Sequence, residues 1–353
     1  ETVRSNSSYG IIKYGKVTLE QSESSEAFDL PIWMQITIVF YIIGLGVMLI
    51  SWRMESSARP KFNESEFFPM SQIKFMSLSA HDISADVAEQ HPIFSFANGE
   101  MGAFSSGFIR ALERVTGQPK IKKLYVDYVD DNRPNELFWT DALHRLNISP
   151  DLSMDGDFSI PKTGRVLIIA NHPYGVIDGL VLCSLVSQVR QDYRIITHQV
   201  LRQAPAVMDK ILPIDFAETD AALATNLETR KHATNHLKDE GVVIIFPAGG
   251  ISLAPNFVGK AYDSEWKTFA ARLSTMEQTT ILPFYFHGRN SIVYQVARRL
   301  SMTLGYSLMF REICHQMDKA IKLTLRKPVI SSELAHFTNR SDVTDFLRKR
   351  TYG

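Results

Sequence analysis

Val-Leu-Ile-Ile-Ala-Asn-His-Pro-Tyr-Gly-Val-Ile-Asp-Gly-Leu occupies residues 166–180, and its two halves follow different rules. The first five residues are apolar and rich in β-branching, the pattern of a strand buried on both faces. Polar residues begin where that run ends. Pro173 and Gly175 forbid further strand and favour a tight bend. Apolar residues then recur at helical spacing over 179–189, which puts Asp178 at the N-cap or in the first turn of a helix. A strand edge followed by a helix start brings His172 and Asp178 within hydrogen-bond reach. A carboxylate so placed fixes the imidazole tautomer and steadies the imidazolium, equipping His172 as a general base. The same two residues would equally serve a polar turn that caps a helix, so their meaning depends on the rest of the chain.

Working outward, the spacing predicts helices over 104–115 and 137–146, before the central strand. After it come strands at 193–197, 211–214, 242–246, 281–286 and 321–325, interleaved with helices at 204–210, 220–239, 264–275 and 302–320. Such alternation predicts an α/β fold, a mixed but mostly parallel sheet flanked by helices. The stripe Phe104, Phe108, Ile109, Leu112 and Val115 has two readings, core packing or a helix lying on a membrane.

Two more strands end as the first does. Residues 241–252 read Gly-Val-Val-Ile-Ile-Phe-Pro-Ala-Gly-Gly-Ile-Ser, and 281–291 read Ile-Leu-Pro-Phe-Tyr-Phe-His-Gly-Arg-Asn-Ser. In open α/β sheets, ligands gather beyond the carboxyl ends of strands. Gly249 and Gly250 would let backbone N–H groups approach a ligand oxygen. His287, Arg289 and Asn290 suit a phosphate or carboxylate. Either stretch alone is an ordinary loop; three polar, glycine-bearing strand ends together describe a pocket rim.

Lys and Arg total 38, as do Asp and Glu, which argues against nucleic acid as a partner. Cys183 and Cys314 form no metal-type pair and fit a reducing compartment. His232 and His236 stand four apart on an expected helix, but no third ligand is near, and they read as a solvated face rather than a metal site. There is no Gly-x-Ser-x-Gly, no Gly-x-Gly-x-x-Gly and no Walker-type loop. The basic run 348–350 has two readings, contact with anionic lipid or a solvated terminus, and the second is preferred.

The N-terminal third has another character. Residues 1–30 are a polar tail. Residues 31–52 carry no charged side chain, with Trp33 and Trp52 near the ends, as a single transmembrane helix requires. Glu26 and Asp29 precede this span; Arg53, Arg59 and Lys61 follow it. The positive-inside rule then places the tail outside and the rest in the cytoplasm. Residues 53–103 read as a linker and 104–353 as the catalytic domain.

Assembled, these residues resemble the PlsC-like glycerolipid acyltransferase superfamily, and within it the hemolysin-related, ornithine-lipid branch of lysophospholipid acyltransferases. Residues 171–179 are similar to that branch's Asn-His-Pro-x-Gly-x-x-Asp-Gly block, with five residues between His172 and Asp178 where the commoner spacing has four. Phe246 to Gly249 looks like its Phe-Pro-Ala-Gly motif. Asp263 to Phe269, with Trp266 and Lys267, and Gly288 to Ser291 also match its pattern. The resemblance covers roughly 104–353.

It implies a membrane-anchored enzyme of the bacterial inner membrane, passing a fatty acyl group from acyl carrier protein or coenzyme A to a lyso-lipid hydroxyl, with no cofactor or metal. His172 and Asp178 are the implied catalytic pair. Asn171, Gly175, Phe246, Pro247, Gly249, Gly250, His287, Arg289 and Asn290 are the implied substrate-binding residues. Most phosphatidate-forming members carry Phe-Pro-Glu-Gly-Thr-Arg-Ser; here Ala248 and Ile251 replace the Glu and Arg that help bind the acceptor phosphate. A lyso-ornithine or lyso-glycine lipid is therefore an expected alternative to a lysophospholipid acceptor. An N-acyltransferase and a non-catalytic lipid-binding module remain the competing readings, and the missing serine motif disfavours a hydrolase.

Overall fold

The computed structural model describes Ser95 and residues 103–353 apart from 217, 218 and 258. These fall in one compact unit, Phe75–Gly353. The expected tail 1–30, the span 31–52 and nearly all of the linker lie outside the described residues. Among the described residues, no helix is long and apolar enough to cross a membrane.

Helices α1 (Ala103–Val115), α2 (Gln118–Asp130) and α3 (Phe138–Arg145) lead to strand β1 (Ser149–Met154). Then follow β2 (Val166–Ala170), α4 (Val176–Ser187), β3 (Tyr193–His198), β4 (Ile211–Ile214), α5 (Asp220–Lys238), β5 (Val242–Ile245), α6 (Phe269–Ser274) and β6 (Thr280–Phe286). Helices α7 (Ile292–Leu300), α8 (Met302–Ser307) and α9 (Met309–Gln316) return the chain to β7 (Ala320–Leu325), β8 (Val329–Ile330) and α10 (Arg340–Tyr352).

The described strands form one sheet in the order β1-β7-β6-β2-β5-β3-β4, with β8 paired to β6. β2, β3, β4, β5 and β6 run parallel; β7 and β8 oppose β6, and β1 runs with β7. β2 lies between β5 and β6 and is wholly buried, which explains its unbroken run of Val, Leu, Ile and Ala. Side chains alternate between two apolar layers. Ile168, Ala170, Ile244, Phe284 and Phe286 pack on the α3–α4 side. Leu167, Ile169, Val243, Ile245 and Ile281 pack on the other, with Ala233 of α5, Ala270 of α6 and Leu347 of α10.

Several elements differ from the sequence expectation, each for a local reason. Ser149–Met154 has a Pro and no β-branched residue, yet it pairs along β7 as an exposed edge strand, where a proline is tolerated. The expected helix 302–320 breaks at Leu308 into α8 and α9, where Ser307 Oγ donates back to Leu304 O. The expected helix 264–275 shrinks to α6, because the Lys267 N–H is taken by Pro247 O. Residues 204–210 wind as a 3-10 turn opened by Pro205. The expected solvated terminus is helix α10, capped by Asn339 and burying Val343, Leu347 and Thr351. In α1, Ile109 is buried, whereas Val115, placed on the same stripe by spacing, is 82% exposed.

Candidate active site

Register decides what meets at the rim. Ala170 of β2 pairs with Phe284 of β6, and Ile169 with Ile245 of β5. The three strands therefore open on one edge, carrying residues 171–178, 246–252 and 287–291. Ser252 N–H donates to His172 O at 2.9 Å, which ties the glycine corner directly to the first loop.

Asp178 lies in the first turn of α4 and is fully buried. Its Oδ2 accepts the N–H groups of Tyr174 and Gly175, both at 2.9 Å. His172 Nδ1 lies 3.0 Å from the same oxygen, within ion-pair reach though off the line of a good hydrogen bond. The imidazole also stacks on Phe246, 3.9 Å between ring centres and 24° between planes. Among the described residues His172 Nε2 has no hydrogen-bond partner, and the side chain is 18% exposed. An imidazole held in this way, by a carboxylate at one nitrogen and an aromatic face below, can take a proton at the other. Burial pushes the Asp178 carboxyl up from its ordinary value, against the pull of His172 and the two N–H groups.

Gly175 has φ 73° and ψ −118°, a conformation that side chains resist. A Cβ there would stand 2.8 Å from Ile251 Cδ1 and 3.0 Å from Met309 Sδ. The loop that delivers two N–H groups to Asp178 thus fits only with glycine at this position.

Other expected residues have different placements. Asn171 faces β6, its Nδ2 donating to Phe286 O at 2.9 Å and its Oδ1 accepting Phe286 N–H at 2.6 Å. It extends the β2–β6 ladder by one rung in place of a backbone peptide. The His287 imidazole turns toward β7, with Nε2 2.8 Å from Thr324 Oγ1. Its partial burial, with Arg326, Lys260 and Lys322 nearby, holds it below the ordinary histidine value. Gly249 N–H closes a turn onto Phe246 O at 3.0 Å; the Gly250 N–H has no partner among the described residues. Pro247 is buried, and its carbonyl takes the Lys267 N–H. Arg289 is partly buried and lies beside the fully buried Asn290, whose side-chain amide has no partner among the described residues. His232 pairs with Glu228 at 3.0 Å, and His236 lies 2.8 Å from Asp192 O, so the two do not converge.

Two residues with no expected role sit against the site. Ser252 is fully buried and Asp263 is 5% exposed; both contact the His172 backbone. Trp266, three residues after Asp263, was the signal for Asp263, because an indole N–H inside a core calls for an acceptor; nothing in the sequence marked Ser252.

An almost wholly apolar cavity of about 130 Å³ opens beside the start of α4. Val176, Gly179 and Leu180 form one wall, Tyr125, Phe138 and Trp139 another, and Val200, Ala204 and Val207 a third. It is close in size to an engineered ~150 Å³ cavity that admits benzene.

A histidine–carboxylate pair at the carboxyl edge of the parallel strands can take up a proton and hand it on. The chain belongs to the acyltransferase family, whose profile matches residues 110–353. It is 23% identical over 179 residues to a lyso-glycine lipid O-acyltransferase of Phocaeicola vulgatus, covering 48% of this chain and 61% of that one. A lyso-glycine lipid O-acyltransferase of Bacteroides thetaiotaomicron is 23% identical over 186 residues, 50% of this chain and 65% of the relative. The chain thus matches under two thirds of the length of these curated relatives. Among solved structures, the 1-acyl-sn-glycerophosphate acyltransferase PlsC of Thermotoga maritima is similar with a TM-score of 0.40 and 16% identity, covering 71% of this chain and 87% of that one.

Proposed function

We propose that this acyltransferase moves a fatty acyl group from a thioester to a hydroxyl of a lyso-lipid, with His172 as general base. The observation that carries this reading is His172 Nδ1 at 3.0 Å from the buried Asp178 Oδ2, with Nε2 left to the open side. His172 Nε2 removes the proton of the acceptor hydroxyl as its oxygen attacks the thioester carbonyl carbon. The new C–O bond forms, the C–S bond breaks, and the thiolate leaves with the proton carried by His172. Asp178 offsets the positive charge the ring carries between those steps. The Gly250 N–H is the backbone donor available to the carbonyl oxygen, since that of Gly249 is held in its turn. The apolar cavity beside Val176 takes part of the acyl chain.

The acceptor we favour is a lyso-aminolipid. Ala248 is buried in the apolar layer, and Ile251 packs toward Gly175, so the corner where phosphatidate-forming members carry Glu and Arg is uncharged. The names of the two lyso-glycine lipid O-acyltransferase relatives support the same acceptor class. Arg289 then grips the acceptor's carboxylate. The donor is acyl carrier protein or coenzyme A, and the span 31–52 holds the site beside the bilayer. Mass spectrometry of lipids from cells expressing the wild type, beside a His172→Ala control, tests the whole reading. Accumulation of a diacylated aminolipid in the wild type alone supports it; the same product from a folded His172→Ala enzyme refutes it.

A further inference from the structure

We propose that Asp263 is a positioning residue for the His172 imidazole, and that helix α10 takes part by holding Asp263. The proposal deepens the acyl-transfer reading above and depends on it for its kinetic arm. Asp263 is buried in the segment between β5 and α6, where three donors converge on its carboxylate. Oδ1 accepts the His172 backbone N–H at 3.2 Å and the Ser252 hydroxyl at 2.5 Å; Oδ2 accepts the Trp266 indole N–H at 2.7 Å. Ser252 Oγ also lies 3.2 Å from His172 N, and the Ser252 N–H takes His172 O at 2.9 Å. Both peptide groups flanking the His172 Cα are therefore fixed by the Ser252–Asp263 pair. Fixing them sets the backbone dihedrals, and with them the direction in which the imidazole leaves the chain toward Asp178 and Phe246.

The peptide groups of Asp263 are fixed in turn from the far side. Its N–H donates to Tyr352 Oη at 2.8 Å, and Arg348 donates to its carbonyl oxygen at 2.8 Å. Both partners belong to α10. A chain of hydrogen bonds thus runs from the C-terminal helix through one buried carboxylate to the backbone of the proposed base. Burial raises the Asp263 carboxyl above its ordinary value while the three donors pull it down; ionised, it accepts from all three, whereas an amide would turn an N–H toward one of them. Its burial keeps Asp263 off the substrate, so its effect passes through His172.

The test uses the full chain, a long-chain acyl thioester and a lyso-aminolipid acceptor. Asp263→Asn is expected to lower kcat by about tenfold or more while both KM values stay within about threefold. In the same variant, amide exchange at His172 is expected to quicken about tenfold, with Val166–Ala170 of β2 unchanged. Adding Trp266→Phe removes the donor that the new amide opposes, and part of the kcat returns. Tyr352→Phe leaves the carboxylate in place but unpins the Asp263 N–H; it is expected to show the same pattern to a smaller degree. Unchanged kcat and His172 exchange in both Asp263→Asn and Tyr352→Phe overturn the proposal, as does a loss confined to KM. If Asp263→Asn fails to fold, Tyr352→Phe alone decides. A wild type that acylates no lyso-lipid refutes the functional reading instead, and His172 exchange, which needs no turnover, still decides the clamp.

Discussion

At the scale of single residues, the site depends on groups whose surroundings leave them one task. His172→Ala removes the only ring nitrogen facing the open rim of the pair, and acyl transfer is expected to fall about a hundredfold or more, with the unfolding midpoint nearly unchanged. Asp178→Asn keeps an oxygen for the Tyr174 and Gly175 N–H groups but loses the charge that faces the imidazolium. Its activity is expected to drop by a comparable factor. Its stability follows a different course. Because burial raises the Asp178 carboxyl above its ordinary 3.8, the unfolded chain loses that proton first. Above pH ~4 the wild type therefore loses stability as pH rises toward the folded-state value, and the neutral variant does not. Urea midpoints measured at pH 4 and pH 7 should show the variant gaining on the wild type at the higher pH. Gly175→Ala combines backbone strain of about 1–3 kcal/mol with a Cβ set against Ile251 and Met309, so both the urea midpoint and kcat should fall.

At the scale of elements, the connection after β3 carries its own pH sensitivity. His198 Nδ1 accepts the Val200 N–H at 3.1 Å, which fixes the neutral ring. Burial lowers its pKa from 6.5 to about 4, against the opposing pull of Asp215. Between those values the unfolded chain binds the proton and the folded one does not, so stability is lost as pH falls from 6.5 toward 4. His198→Asn, whose side-chain oxygen can still accept the Val200 N–H, should flatten that slope in urea unfolding across the same window. Elements also show where local pattern stops being informative. β2, β5 and β6 were legible because each is a short apolar run punctuated by glycine or proline. β1 was not, because Ser149–Met154 shows no apolar alternation and is held by ladder bonds to β7 and by the Ser153 hydroxyl against Thr324. α10 was hidden for a related reason: its charged residues dominate the sequence, and Val343, Leu347 and Thr351 become a buried face only once β6 and α6 exist to receive them.

At the scale of the whole molecule, the sheet order places the apolar cavity, proposed above to take the acyl chain, against the same helix that carries Asp178. Ala204, 4% exposed, forms part of the cavity wall. Ala204→Phe should fill it, raise KM for long-chain thioesters and leave kcat with short-chain thioesters largely intact, as steady-state assays across chain lengths would reveal. Equal loss at every chain length would place the acyl chain elsewhere. The sequence by itself determined the strands that end in polar turns, the approach of His172 and Asp178, and the absence of charge at positions 248 and 251, because neighbours along the chain fix all of these. Only the tertiary structure decided that Phe246 lies under the imidazole, that Asn171 serves as a ladder rung, and that Asp263 joins α10 to the backbone of His172. Those contacts link residues about 75 to 115 positions apart once the intervening strands have paired, and no local periodicity records a pairing over such distances.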